Sequence, residues 1–157
     1  MKMGRDCRGF TLLELMIVIV LIGMLAGLVS LASGPSPARQ ARQQAEDFIR
    51  VVQQLRERAV LDAREYGLRL QSRAYQAVRL EDRGWTAVTS LHRLPENLTL
   101  GLEQDGQILP LDDVRDIPQL LMLSSDEISP FRLSINVTGQ TLLQVSSDGV
   151  AEPFVHE

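Results

Sequence analysis

The residues with the clearest chemical potential lie at the start of the chain, where a short basic leader ends at Gly9. Residues 10–33 then form an apolar run with a single charge, the carboxylate of Glu14. An ionisable side chain at the centre of a bilayer costs about 2.5–3.5 kcal/mol on insertion scales, so such a group usually has a partner. Cleavage after Gly9 would supply one, because it leaves a free α-amine on Phe10.

The amine on Phe10 and the carboxylate of Glu14 do not pair comfortably within one straight helix, since both belong to its first turns. The amine of a neighbouring subunit reaches Glu14 if the two helices stack with a stagger. The alternative is a carboxylate that snorkels toward the helix end or is protonated in lipid. The Gly9–Phe10 context favours pairing between subunits.

The apolar run is long enough for a membrane segment. Residues 10–32 measure about 34 Å as a helix, against a hydrocarbon core of about 30 Å. The basic residues of the leader, Lys2, Arg5 and Arg8, precede the run. This asymmetry predicts a cytoplasmic leader and an exported remainder. An ordinary secretory signal has a shorter core and a cleavage site after it, so we expect this segment to stay in the mature protein.

A second helix is predicted after the break at Gly34, Pro35, Ser36 and Pro37, in which Ser36 has the character of an N-cap and Pro37 that of a first helical residue. The predicted helix covers residues 38–65, with Gly67 as its stop. Its apolar residues recur at helical spacing, which predicts one buried face: Ala41, Ala45, Phe48, Val52, Leu55 and Ala59.

The period changes to two after this helix, which indicates short strands separated by turns. The predicted strands are 68–71, 76–80, 85–89, 98–103, 107–111, 119–123, 131–137, 141–146 and about 150–155, with turns at Gly84, Gly106, Gly139 and Gly149. The predicted fold class is therefore α+β: a long N-terminal helix, half transmembrane and half amphipathic, packed on an antiparallel sheet or sandwich. The predicted organisation is a leader (1–9), a transmembrane and assembly helix (10–33), a kink with the amphipathic helix (34–66) and a β-rich head (67–157).

Composition argues against several classes of function. Residues 10–157 contain 13 basic and 19 acidic side chains, a net charge of −6 that does not suit a nucleic-acid partner. Cys7 is the only cysteine, which excludes an intrachain disulfide.

No catalytic, cofactor or metal site is predicted. His92 and His156 lack a second ligand at metal spacing and are interpreted as solvated surface residues. The carboxylates of Asp112, Asp113 and Asp116 could hold calcium but lack the EF-hand spacing, so we interpret them, like Asp126 and Glu127, as parts of solvated loops. Trp85 is interpreted as a core or rim anchor.

The residues from Gly9 to Glu14, after a basic leader and before an apolar helix, resemble the type III signal of the type IV pilin and pseudopilin superfamily. In that superfamily a membrane-embedded prepilin peptidase cuts after the glycine and N-methylates the new first residue. The glutamate then pairs with the N-terminus of an adjacent subunit. The resemblance implies these roles for Gly9, Phe10 and Glu14, and a long helix carrying a β-rich head.

The stretch 121–135, with Pro130, Phe131 and Leu133 opening its second strand, resembles the H-type minor pseudopilin of type II secretion. Asp126 stands where the usual glycine of the polar turn is expected. Glu14 argues against the K-type pseudopilin, which lacks that glutamate.

The resemblance implies a non-enzymatic subunit at the tip or in the shaft of the pseudopilus that helps export folded proteins across the outer membrane. It would be a single-pass inner-membrane protein with its C-terminal head in the periplasm. The implied partners are other minor and major pseudopilins, the prepilin peptidase and the inner-membrane secretion platform. Two alternatives remain open: a minor pilin of a type IV pilus, acting in adhesion or DNA uptake, and a signal-anchored periplasmic β-domain enzyme.

Overall fold

The computed structural model describes residues 12–32, 36–111 and 116–156, which belong to two compact units, Met1–Ser36 and Pro37–Glu157. The predicted cleavage site at Gly9 and Phe10 lies outside the described residues. So do Gly34 and Pro35 of the predicted break, and Asp112 and Asp113 of the acidic cluster.

The first unit contains helix α1, Leu12–Ala32. Apart from Glu14 and Gly23, residues 12–25 are all leucine, methionine, isoleucine or valine, so the helix has no polar face. Among the described residues, no helix combines the length and the apolar character that crossing a membrane requires.

The second unit opens with helix α2, Pro37–Asp62, which buries one face. The buried residues are those that the spacing predicts: Ala41, Ala45, Phe48, Val52, Leu55 and Ala59. Phe48 contacts the rings of Tyr75 and Phe131 edge to face, with centroid distances of 5.4 and 6.0 Å. The predicted amphipathic helix is confirmed, and its first helical residue is Pro37, whose fixed φ suits that position.

Gly67 does not end the helix, and that prediction is wrong. Helix α2 ends at Asp62, and Ala63 follows it with a φ of 48°. Gly67 lies instead in a buried strand, where a Cβ atom would stand 2.5 Å from Cγ of Pro118. A glycine is needed there because another segment of the chain packs directly on the backbone.

Two antiparallel sheets complete the head. The first has the order β3-β2-β1-β7, with β4 also paired to β2. Its strands are β1 (Tyr66–Gln71), β2 (Ala74–Glu81), β3 (Gly84–Ala87), β4 (His92–Arg93) and β7 (Leu120–Met122). The second sheet has the order β10-β9-β8-β5-β6. Its strands are β5 (Leu98–Gln104), β6 (Gln107–Leu109), β8 (Phe131–Val137), β9 (Gln140–Ser147) and β10 (Phe154–His156).

Helix α2 and both sheets share one hydrophobic core, to which α2 and the strands β1, β2, β5, β7, β8 and β9 contribute buried residues. Leu68, Leu98, Leu133 and Val145 are completely buried in it, together with Val52 of the helix. The two sheets are joined near Ser72, whose backbone nitrogen donates to the Leu111 oxygen and whose oxygen accepts from the Leu100 nitrogen, at 3.1 and 2.8 Å. The predicted α+β architecture is thereby confirmed.

The strand predictions are accurate in position and less so at the ends. Strand β8 has the predicted limits, 131–137, because apolar and polar residues alternate without interruption along it. The strand predicted at 85–89 is shorter, the one predicted near 150–155 starts later, and β4 is absent from the prediction, which placed His92 in a loop. A strand of two residues has no period, and β4 exists only through its pairing with β2.

Two of the predicted turns need residues with positive φ at both central positions. Asp105 and Gly106 have φ of 51° and 75°, and Thr138 and Gly139 have φ of 47° and 81°. This is the signature of type I′ turns, whose twist matches that of the flanking strands. The turns fix the register of the β5–β6 and β8–β9 hairpins.

We expect Phe48→Ala to lower the free energy of unfolding by about 3–5 kcal/mol, because the side chain fills the junction of the helix with both sheets. Chemical denaturation of the purified chain in detergent, followed by circular dichroism, measures this change. Gln43→Ala, at an exposed position of the same helix, is the matched control and should change the stability by less than about 0.5 kcal/mol. Equal effects of the two substitutions would contradict the assigned core.

Candidate assembly site

Glu14 lies in the first turn of α1, where its carboxylate is favourably placed relative to the helix dipole. Its side chain is exposed, between the exposed side chains of Leu13 and Leu15. A carboxylate in this position can accept charge-assisted hydrogen bonds, which are roughly twice as strong as hydrogen bonds between neutral groups. Glu14 can therefore act as a hydrogen-bond acceptor for a cationic donor.

The surface around Glu14 is apolar and uncovered. The large apolar side chains described on α1 are exposed by at least 40%, the value for Val18, and by as much as 82%, the value for Leu12. Each gains about 1.5–3 kcal/mol when it leaves water. A helix that is apolar on all sides is normally buried. Helix α1 therefore presents an apolar surface suited to packing against other apolar groups, and Glu14 belongs to that surface.

The two histidines are surface residues as predicted, but each has structural contacts. His92 Nε2 is 3.0 Å from Gln44 Oε1, and the imidazole ring packs on Tyr75 with a centroid distance of 4.6 Å. His156 Nε2 is 2.8 Å from Ser146 Oγ. Both rings therefore attach edge strands, β4 and β10, to the head.

The structure brings no metal site together in its described parts, where no three His, Cys, Asp or Glu side chains converge. Asp116, the described member of the acidic cluster, is exposed, and its backbone oxygen accepts a hydrogen bond from Arg69 Nε at 3.0 Å. Trp85 lies half-buried in the edge strand β3. These residues take part in the contacts of the head.

Sequence reasoning missed a contact that joins three segments of the head. Asp126, in the turn between β7 and β8, has a φ of 70°, a left-handed conformation in which glycine is favoured. Arg56 of α2 donates from Nε to Asp126 Oδ1 at 2.7 Å and from Nη2 to Asp126 Oδ2 at 3.1 Å. Arg56 also donates to the backbone oxygens of Asp126 and Val150, both at 2.9 Å.

These four hydrogen bonds hold Asp126 in its left-handed conformation and fix the turn to α2. The Arg56 side chain is only 17% exposed and that of Asp126 is 61% exposed, so the bidentate pair lies at the surface with its guanidinium largely covered. Arg56 and Asp126 are 70 residues apart. No local pattern in the sequence signals such a contact.

Known proteins match this chain both over its apolar segment and over almost its full length. Residues 4–30 match the family described as "Prokaryotic N-terminal methylation motif". The type II secretion system protein H of Pseudomonas aeruginosa is 44% identical to this chain, and the alignment covers 96% of each. The chain belongs to the type II secretion system protein H family. A second member, from Vibrio cholerae, is 30% identical to this chain, and the alignment covers 85% of this chain and 84% of that protein.

Solved structures agree with this membership of the protein H family. The crystal structure of the minor pseudopilin EpsH from the type II secretion system of Vibrio cholerae matches with a TM-score of 0.67 and 26% identity, over 77% of this chain and 98% of that one. The solution structure of GspH from E. coli matches with a TM-score of 0.65 over 76% of this chain and 89% of that one; at 20% identity it supports the fold alone. The resemblance to the H-type minor pseudopilin is therefore confirmed, in preference to a type IV minor pilin.

We expect Arg56→Gln to lower the free energy of unfolding of this protein H family member by about 1.5–3 kcal/mol, since it removes a charge-assisted contact and leaves polar groups of the turn without their donor. Thermal unfolding in detergent measures the loss. Arg58→Gln, two residues along the same helix and exposed, is the control that removes the same charge. A similar small effect of both substitutions would contradict the structural role of Arg56.

Proposed function

We propose that this chain acts as a minor pseudopilin: a non-enzymatic structural subunit, at the tip or in the shaft of the type II secretion pseudopilus, that helps export folded proteins across the outer membrane. The observation that carries the proposal is helix α1, whose described large apolar side chains are exposed and whose first turn contains one acidic residue, Glu14. Such a helix suits packing among similar helices. Membership of the protein H family supports the same function.

The proposed maturation is cleavage after Gly9 and N-methylation of Phe10 by the prepilin peptidase. The match of residues 4–30 to the N-terminal methylation motif supports this step, since both residues lie inside the matched range. The chemical consequence is a basic amine at the start of the mature chain. That amine is the proposed cationic partner of a glutamate on an adjacent subunit.

The proposed location is the inner membrane, with the head in the periplasm. Residues 10–33, which extend beyond the described residues at both ends, would form the anchor. The basic residues of the leader directly precede them, as in a segment whose N-terminus stays in the cytoplasm. Other minor and major pseudopilins and the inner-membrane secretion platform are the proposed partners.

The proposed role of Glu14 is to pair with the N-terminal amine of an adjacent subunit. In the apolar surroundings that cover α1, a carboxylate and an amine attract each other more strongly than in water. An unpaired charge there is costly, so each subunit added to the filament satisfies the charge of its neighbour. The pair thus links assembly to one axial offset between the helices of neighbouring subunits.

We expect Gly9→Val to block maturation, because a branched side chain replaces hydrogen at the scissile position. Mass spectrometry of the membrane-extracted protein should then show the unprocessed chain, while the unchanged sequence yields N-methyl-Phe10. Met3→Val, within the same leader, is the control and should be processed normally. Normal processing of the Gly9 variant would contradict the proposed cleavage site.

We expect Glu14→Leu to leave membrane insertion intact, since it removes the insertion cost of a charged side chain, which is at most about 2.5–3.5 kcal/mol at the bilayer centre. Pseudopilus assembly and secretion of the exported proteins should be lost, because the neighbour's amine has no counter-charge. Extraction of membranes with carbonate and assay of secreted proteins separate the two effects. Leu15→Val is the control; secretion by the Glu14 variant equal to that of this control would contradict the proposed pairing.

A further inference from the structure

The head has a basic end, and it lies where the chain enters α2. Arg39 and Arg42 are exposed on the first two turns of α2. Together with Ala38, Leu142 and Leu143 they line a shallow groove of about 480 Å³. One flank of the helix start therefore presents two guanidinium groups beside an apolar surface.

Two further arginines lie on the other flank of the helix start. Hydrogen bonds from Asn97 to Gln40 and between His92 and Gln44, both at 3.0 Å, attach β4 and the loop after it to the first turns of α2. The exposed Arg93 belongs to this strand. The exposed Arg73 is adjacent, because its backbone oxygen accepts from the Leu94 nitrogen at 2.9 Å. Arg39, Arg42, Arg73 and Arg93 are called the basic collar below.

The acidic groups near the collar do not cancel its charge. Arg42 forms an ion pair with Glu46 at 3.6 Å, but both side chains are largely exposed, at 66% and 59%, and such pairs contribute little. Glu96 is exposed on the loop after β4. Asp47, one turn after Gln44 on α2, pairs with Arg50 at 3.0 Å. With that pair included, the described part of this end has five arginines and three acidic side chains.

The opposite end of the head is acidic. Around the Arg56 contact, near the C-terminus of α2, lies a group of exposed carboxylates: Asp126, Glu127, Asp148 and Glu152. Backbone N–H groups of Val150 and Ala151 donate to Asp148 and hold the pKa of its carboxyl below the usual range. The net charge of −6 after the leader is therefore unevenly distributed: one end of the head is basic and the other is acidic.

We propose that the basic collar binds the anionic headgroups of phospholipids at the membrane surface from which residues 10–33 emerge. The inference rests on the proposed membrane anchoring of those residues. Arg39 follows Ser33 by six residues, so the chain holds it within about 20 Å of the end of the apolar run even when fully extended. This tether gives the collar a high effective concentration at an anionic surface, which attracts arginines and repels the acidic end.

Lipid is favoured over a protein partner because the tether requires lipid to be present wherever the chain is anchored. A second copy, docking its acidic end on the collar, is the competing occupant. In the lipid case the head is held close to the membrane before the subunit enters a filament, and leaving the membrane breaks these contacts.

The test uses the full chain with Cys7→Ser and Gln43→Cys, spin-labelled at position 43 and inserted in nanodiscs that hold one copy each. Gln43 is exposed on α2 between the collar arginines. In discs of phosphatidylglycerol we expect an immobilised spectral component that is shielded from an aqueous nickel relaxant, and in discs of phosphatidylcholine a mobile one. Replacing Arg39 or Arg93 with Gln should reduce the ratio of immobilised to mobile component about fivefold each.

The controls separate the collar from general charge effects. Arg58→Gln and Arg83→Gln remove exposed arginines elsewhere on the head and should leave the ratio unchanged. A label at Gln107 in place of Gln43, in the exposed part of β6, should stay mobile in both lipids. These results together support the proposal.

Three outcomes would overturn it. Equal spectra in the two lipids, with the chain inserted in both, refute lipid binding by the collar and leave the membrane anchoring intact. Immobilisation that appears only in discs holding two copies identifies the second copy as the occupant. A chain that remains in the aqueous fraction with both lipids refutes the membrane anchoring itself, and this inference with it.

Discussion

Glu14 imposes a constraint that the rest of the molecule accommodates. It is the only charged residue in the apolar run 10–33, on a helix whose described large side chains are all exposed. Covering that helix with lipid or with other helices removes water from the carboxylate as well. The proposed pairing with the free N-terminal amine of a neighbouring subunit would offset this cost, and the charge would then favour assembly.

The head meets a different requirement, because it must stay folded while the apolar unit changes its surroundings. It has its own core, formed by one face of α2 and the inward faces of both sheets. Arg56 then joins α2 to the turn at Asp126 and to the backbone at Val150, at the end of the head that lies away from the start of α2. These contacts lie within the unit Pro37–Glu157.

The parts of the fold that follow from local pattern could be predicted from the sequence. The spacing of Ala41, Phe48 and Val52 predicts the buried face of α2, and complete alternation predicts the limits of β8. The features that escaped prediction depend on contacts between distant residues. Gly67 has the properties of a helix stop, but Pro118 packs on it in a sheet. Strand β4 exists through pairing with β2, and the Arg56–Asp126 contact joins residues 70 positions apart. Of the predicted site residues, Glu14 is on the expected helix, and Gly9 and Phe10 lie outside the described residues.

The central claim, that Glu14 pairs with the amine of a neighbouring subunit, is tested most directly by zero-length cross-linking in the membrane. Dicyclohexylcarbodiimide enters apolar regions and joins a carboxylate to an amine only where the two are in contact. After treatment of membranes that contain assembled pseudopili, mass spectrometry should find an amide between the Glu14 side chain and the methylated N-terminus of another subunit. Assembled pseudopili in which Glu14 carries only the unlinked carbodiimide adduct would contradict the account.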